Sequence, residues 1–482
     1  METIIMRILY VGSEALPFAS TGGLADVLGS LPAAVKRASN GGADVRVVIP
    51  MYPKIKQSID DSFELVSESE VRLSWRNLYC GIWKTERDGV TFYFVDNEYY
   101  FNRPTLYGSF DDGERFAYFG KAVMYLMTHT GFVPDIMHAN DWQSALAVIY
   151  LKQKLSRIET YRYVKVLFTI HNIEYQGKYD LKILGDVFDL DESDRSVVEF
   201  DGCINLLKGA ITCADMVNTV SERYSNEILT EYYAHGLHHI LRASRDKLTG
   251  ITNGIDVDYY NPETDPDIAA NYSATKIAGK AKDKEELRAV CGLEGDPKAP
   301  LVVMVSRLAG HKGFDLVKRV MYDILNDTDA TFAILGTGEK EFEDFFVKAA
   351  ADYPGRVAVR LEYNKALSKK FYAGGDLFLM PSKSEPCGLS QMIASRYGTV
   401  PIVRETGGLF DTIKPYNEFT GEGNGFSFTN YNAHDMMAVI KYAFEIYRKK
   451  QKWACLRRRV MKVDFSWTAS AEKYLKLYES ML

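Results

Sequence analysis

Cysteine is scarce and unpaired in this 482-residue sequence: six residues, at positions 80, 203, 213, 291, 387 and 455, with no CxxC spacing among them. That excludes the disulfide frameworks of small secreted domains and the usual zinc sites, and it suits a reducing, cytoplasmic setting. No apolar run approaches the ~18 residues of a membrane span, so no membrane partner is expected. An excess of positive charge is also lacking. Lys and Arg total 58 against 64 Asp and Glu, and the net charge of −6 offers no basic surface for nucleic acid. Internal repeats and low-complexity tracts are missing as well. The opening METIIMRILYVG is broken by Arg7 and has no small-residue cleavage site, so it reads as a first strand rather than a signal peptide.

Short, unbroken apolar runs are present in number: DVRVVIP, DIMHAND, VKVLFTI and DMVNTVS, then PLVVMVS, ATFAILG, RVAVRLE, DLFLMPS and TVPIVRE. Helical stretches such as EKEFEDFFVKAAADY separate them. Unbroken runs suit parallel strands covered on both faces, and their alternation with helices predicts doubly wound α/β sheets. The pattern occurs twice, in a chain too long for one core. The expected architecture is therefore two Rossmann-like domains facing across a cleft, with residues 1–252 in the first and 253–463 in the second. A hairpin in the first half turns at Asp88-Gly89.

Ligands of open α/β sheets bind beyond the carboxyl ends of strands, so the residues after each run carry the chemistry. The first such stretch, STGGLADVLGSLP (Ser20 to Pro32), lacks the spacing of a dinucleotide or phosphate-loop fingerprint, and alone it reads as a tight turn. Asp141 and Trp142 in HANDWQ offer a carboxylate and an aromatic face, the latter expected in the core. His171 and Asn172 in TIHNIEYQG can hydrogen-bond a sugar or stabilise a developing charge. Arg307 and Lys312 in SRLAGHKG converge from one glycine-bearing loop, an arrangement that suits a diphosphate. In SEPCGLSQMIASRYG, Glu385 can bind sugar hydroxyls, and the N–H groups of Gly388, Leu389 and Ser390 form either a phosphate site or an ordinary helix start. Cys387 in that loop reads as an inert structural thiol. Asp189 and Asp191 mimic a metal-binding Asp-x-Asp but read as a solvated helix start, so no metal is expected.

Together the segments TGGLADV, HANDWQSAL, TIHNIEYQG, NTVSERY, ITNGID, SRLAGHKG, GTGE, EPCGLSQM and RETGGL resemble, in order, the bacterial glycogen synthases and plant starch synthases. These are retaining glycosyltransferases of type-B architecture. The resemblance runs from about Arg7 to about Tyr478. It implies that Thr21, Gly22, Gly23 and Leu24 approach the donor, beside Ser20, and that Asp26 and Asp141 lie on the sugar or acceptor side. It places His171 near the anomeric carbon, Asn253 on the donor, Arg307 and Lys312 on the diphosphate, and Glu385 on the sugar. Cys387 to Ser390 fall at the phosphate-binding helix start, and Tyr363 falls where an aromatic ring stacks on adenine. Residues 464–482 match a helix that crosses back to the first domain.

The expected reaction is transfer of glucose from ADP-glucose to an α-1,4-glucan such as glycogen, without a cofactor and with domain closure excluding water. UDP-glucose as donor, or a catalytically weakened glucan-binding protein, is the alternative. Three departures stand out: Ser20 replaces the family's lysine, and Asn140 and Gln143 replace the histidines of its HDWH motif. Ile393 stands where related type-B enzymes carry a second glutamate.

Overall fold

The computed structural model describes residues 5–482; residues 1–4, at the head of the expected first strand, lie outside the described residues. The chain divides into two compact units, Met1–Gly254 with Trp467–Leu482, and Ile255–Ser466.

One nine-stranded sheet organises the first unit. Its order is β12 (Leu248–Gly250), β11 (Met216–Thr219), β7 (Lys165–Ile170), β6 (Ile136–Asn140), β1 (Met6–Val11), β2 (Ala43–Pro50), β5 (Val90–Asp96), β4 (Arg76–Arg87) and β3 (Glu64–Leu73). Strands β12 through β5 run parallel, and β4 and β3 close the sheet antiparallel. Ile8, Leu9, Tyr10 and Val11 are fully buried, as an apolar run covered on both faces requires. The hairpin turns at Asp88 and Gly89, both with positive φ, which matches the twist of the flanking strands. β3 has mostly exposed residues and no unbroken apolar run, so the sequence pattern did not mark it. A small second sheet pairs β8 (Lys178–Tyr179), β10 (Cys203–Asn205) and β9 (Glu199–Phe200) in that order.

The helix Trp467–Met481 packs into this first unit through a buried polar network. Tyr478 Oη lies 2.7 Å from Tyr10 Oη and 2.8 Å from His138 Nδ1, and His138 Nε2 lies 2.7 Å from Thr169 Oγ1. Asn218 Nδ2 donates to Tyr474 Oη at 2.9 Å.

In the second unit six parallel strands are ordered β15 (Val357–Arg360), β14 (Thr331–Leu335), β13 (Leu301–Val305), β16 (Leu377–Met380), β17 (Val400–Arg404) and β18 (Phe426–Phe428). Numbered from its first strand this is the 3-2-1-4-5-6 order of the Rossmann fold, whose topological switch lies between the first and fourth strands, here β13 and β16. Val302, Met304, Phe332, Leu377 and Ile402 form its centre.

Candidate active site

The first unit has its own switch point. The chain leaves β1 toward β2 on one side of the sheet and leaves β6 toward β7 on the other, so the loops after β1, β6 and β7 open on one edge. Asp141, just past β6, has φ 56° and ψ 176°, a backbone conformation rare outside glycine and costly unless its surroundings enforce it. Its Oδ1 accepts the His171 N–H at 2.8 Å. Burial pushes the Asp141 pKa up to about 7, against the backbone bonds from His171 and Asn172. The His171 ring is half-buried, with Nε2 2.9 Å from Asn140 Oδ1, and burial holds its pKa down at about 3, so it is neutral at physiological pH. Asn172 is engaged locally, its Oδ1 accepting from Glu174 N at 3.0 Å.

Sequence reasoning missed one member of this edge, Glu14. It is buried, accepts hydrogen bonds from both the backbone N–H and the hydroxyl of Thr21, and so ties the start of the glycine loop to the end of β1. Burial pushes its pKa up to about 7, opposed by the Thr21 bonds and assisted by the charge of Asp26. Its signal was a carboxylate three residues past a buried strand.

Ser20, Thr21 and Gly22 are exposed, and Gly23 is the first residue of helix α1 (Gly23–Ala38). Gly22 is extended, with φ −168°, and neither glycine has positive φ. The pair does not serve a left-handed turn. A Cβ built at Gly22 meets nothing within 4 Å, so the position is open to an incoming group. Asp26 is half-buried on the first turn of α1. Asn253 is buried, and its Oδ1 has no partner among the described residues. The sequence boundary assigned Asn253 to the second domain; the structure keeps it in the first unit, where Ile251 N donates to Thr219 O and Ser470 Oγ to Thr252 O. Trp142 is a core residue, edge-on to Phe116 at 5.3 Å. Asp191 caps the turn Glu192–Asp194, and Asp189 pairs with Lys121.

In the second unit the loops after β13 and β16 meet at the switch. Gly313 has φ 79°, and a Cβ there would fall 2.1 Å from the Pro381 carbonyl oxygen, so only glycine lets the two loops touch. Lys312 Nζ reaches Glu385 Oε2 at 2.6 Å, and Ser382 Oγ donates to the same oxygen at 3.1 Å. Arg307 is exposed and joins no ion pair among the described residues. Gly407, with φ 43°, lets the loop after β17 lie against the Glu385 carbonyl, where a Cβ would approach to 2.0 Å. The helix Ser390–Arg396 follows, and the N–H groups of Gly388, Leu389 and Ser390 have no acceptor among the described residues. The Cys387 thiol is buried. Tyr363, beyond β15, is 83% exposed. Cations and N–H groups without acceptors among the described residues are the chemistry that receives a diphosphate, and a carboxylate such as Glu385 can hold hydroxyls. No group of three or more His, Cys, Asp or Glu side chains among the described residues is arranged to hold a metal ion.

A family model described as the starch synthase catalytic domain matches residues 7–243, and one described as glycosyl transferases group 1 matches residues 283–455. Over 479 residues the chain is 46% identical to a glycogen synthase of Geobacillus thermodenitrificans, covering 99% of this chain and 98% of that one. It is equally similar to a glycogen synthase of Bacillus cereus strain Q1, covering 99% and 100%. Among solved structures, the catalytic domain of starch synthase IV from Arabidopsis thaliana, bound to ADP and acarbose, superposes with a TM-score of 0.90 at 33% identity over 99% of each chain. A sucrose-phosphate synthase from Thermosynechococcus elongatus, at 16% identity and a TM-score of 0.62, shares the fold.

Proposed function

Starting from the fact that the chain is a glycosyltransferase of the glycogen and starch synthase family, we propose that its donor is ADP-glucose and its acceptor the non-reducing end of an α-1,4-glucan. The observation that carries the reading is the Lys312–Glu385 pair at the β13/β16 switch, which ties the loop that also carries Arg307 to the loop that leads into the N–H groups of Gly388 to Ser390. Arg307, Lys312 and those N–H groups hold the diphosphate; Glu385 holds glucose hydroxyls. Tyr363 offers a ring to adenine, and Cys387 is a wall of the pocket.

From the first unit, the backbone at Ser20 to Gly23 approaches the donor, His171 and Asn172 lie by the glucose, and Asn253 brings its unpaired buried oxygen to the donor. Asp26 and Asp141 serve the acceptor side. The bond from glucose C1 to the phosphate oxygen breaks and a bond from C1 to the acceptor oxygen forms on the same face. The acceptor proton passes to the departing diphosphate, whose charge Arg307 and Lys312 stabilise without a metal. The free thiols support a reducing, cytoplasmic location.

The test is incorporation of labelled glucose into glycogen. Transfer from ADP-glucose, undiminished by EDTA and well above transfer from UDP-glucose, is expected. Preference for UDP-glucose, loss of activity in chelator with rescue by manganese, or glucan binding with no transfer overturns the corresponding part of the reading.

A further inference from the structure

Asn140 stands where the resemblance led to the expectation of a histidine, and the structure sets it against His171. It ends β6 with no exposed surface. Its amide nitrogen donates to Val11 O at 3.2 Å and to His138 O at 3.1 Å. Both partners are carbonyl oxygens, which can only accept, so the amide cannot be turned over without setting oxygen against oxygen. Its Oδ1 therefore faces His171 Nε2, 2.9 Å away. An oxygen acceptor at that distance requires the proton on Nε2, and a neutral imidazole carries one N–H.

We infer that Asn140 is a positioning residue that fixes His171 as the neutral Nε2–H tautomer, leaving Nδ1 as the ring's acceptor. The surroundings agree. The Asp141 carboxylate receives the His171 backbone N–H. His138, the other imidazole on this face, is engaged by Tyr478 and Thr169, and burial keeps its pKa at about 3, so it contributes no charge. A histidine at position 140 could itself donate or accept and so would permit either tautomer of His171. A pinned asparagine permits one.

The consequence rests on the reading that His171 meets the donor glucose. There the ring accepts a hydrogen bond from a sugar hydroxyl and adds no positive charge beside the cationic character that develops at C1. It acts as an acceptor, never as an acid.

The experiment is long-range ¹H–¹⁵N NMR of the full chain labelled at histidine, with the His171 signals assigned by their loss in His171→Phe. Between pH 6 and 8 the wild type should show one neutral form protonated at Nε2. An Nδ1–H form, or a ring charged in that range, overturns the inference. Asn140→Leu should release the tautomer and lower kcat by about tenfold or more while the KM for ADP-glucose stays within about threefold. Asn140→His, whose ring can donate or accept at that position, should let His171 populate both neutral tautomers in the same spectrum. If both variants fold and leave spectrum and kcat unchanged, Asn140 positions nothing. A wild type that shows the expected tautomer yet transfers no glucose from ADP-glucose would refute the proposed function and leave the tautomer standing.

Discussion

Arg307 and Lys312 leave the same loop, yet only one of them matters to the fold. Lys312 is paired at 2.6 Å with Glu385, whose carboxylate is buried, whereas Arg307 is exposed. Arg307→Ala should lower kcat by about 10²-fold with an unchanged melting temperature. Lys312→Ala should lower kcat similarly and also destabilise by about 1–3 kcal/mol, because it strands a buried carboxylate. Full activity of both variants at saturating donor would make the pair mere surface charge. Glu14 and Asp141 predict a pH dependence of stability. Each has a folded pKa near 7, above the ordinary values of 4.5 and 3.8, so the folded protein keeps protons that the unfolded chain releases. That contribution is present in acid and fades as pH rises toward 7. His138 and His171, held near 3, act in the opposite sense and cost stability as pH falls below 6.5. Glu14→Gln removes one of the acid-favouring groups. Its stability relative to wild type should improve from pH 5 to pH 8 by up to about 3 kcal/mol, read by denaturant titration; a constant difference would show that Glu14 does not titrate there.

Among the elements, the start of α1 and the last helix bear opposite kinds of load. A Cβ at Gly22 meets no atom of the described residues within 4 Å, so Gly22→Ala should fold normally, and a rise in the KM for ADP-glucose would report an approaching ligand. Unchanged kinetics would reduce the glycine pair to a loop of no further use. The helix Trp467–Met481 instead supplies the hydroxyls that satisfy buried groups on β1 and β6. Tyr478→Phe leaves the Tyr10 hydroxyl and His138 Nδ1 without that partner in the interior, and should cost about 1–3 kcal/mol in thermal or denaturant unfolding. Normal stability would mean that water or a rearranged side chain takes the place of the lost hydroxyl. Histidine 138 was legible only as part of an apolar run; its partners come from the far end of the chain.

For the whole molecule, nucleotide binding should be visible in the second unit by hydrogen exchange on the full chain. ADP should slow exchange at residues 388–390, where N–H groups without acceptors among the described residues gain phosphate oxygens, and should stabilise the fold by about 3 kcal/mol at a hundredfold excess over Kd. Exchange there that is indifferent to ADP would move the nucleotide elsewhere. The motifs named from sequence sit at strand ends, after β1, β6, β7, β11 and β12 in one unit and after β13, β14, β16 and β17 in the other. Unbroken apolar runs marked most of the parallel strands because burial on both faces leaves no alternation; β3, at an exposed edge, and the three-residue strands β12 and β18 had no such signature.

The sequence by itself determined the α/β class, the parallel strands, the hairpin turn and the residue types at the strand ends, because each depends on local composition, periodicity or the position of a polar group after an apolar run. It could not determine which of those residues touch. The Lys312–Glu385 pair joins positions 73 residues apart, and the tie between Asn140 and His171 spans 31. Nor could it show that Glu14 holds Thr21, or that Asn253 keeps a buried oxygen without a partner among the described residues. Those facts depend on strand order, which sets what lies beside what, and on burial, which decides whether a polar atom meets water or another residue. Asn140 is the clearest case. Read along the chain it is a substitution in a motif; in the folded sheet, two carbonyls hold its amide and leave one orientation for its oxygen, facing His171.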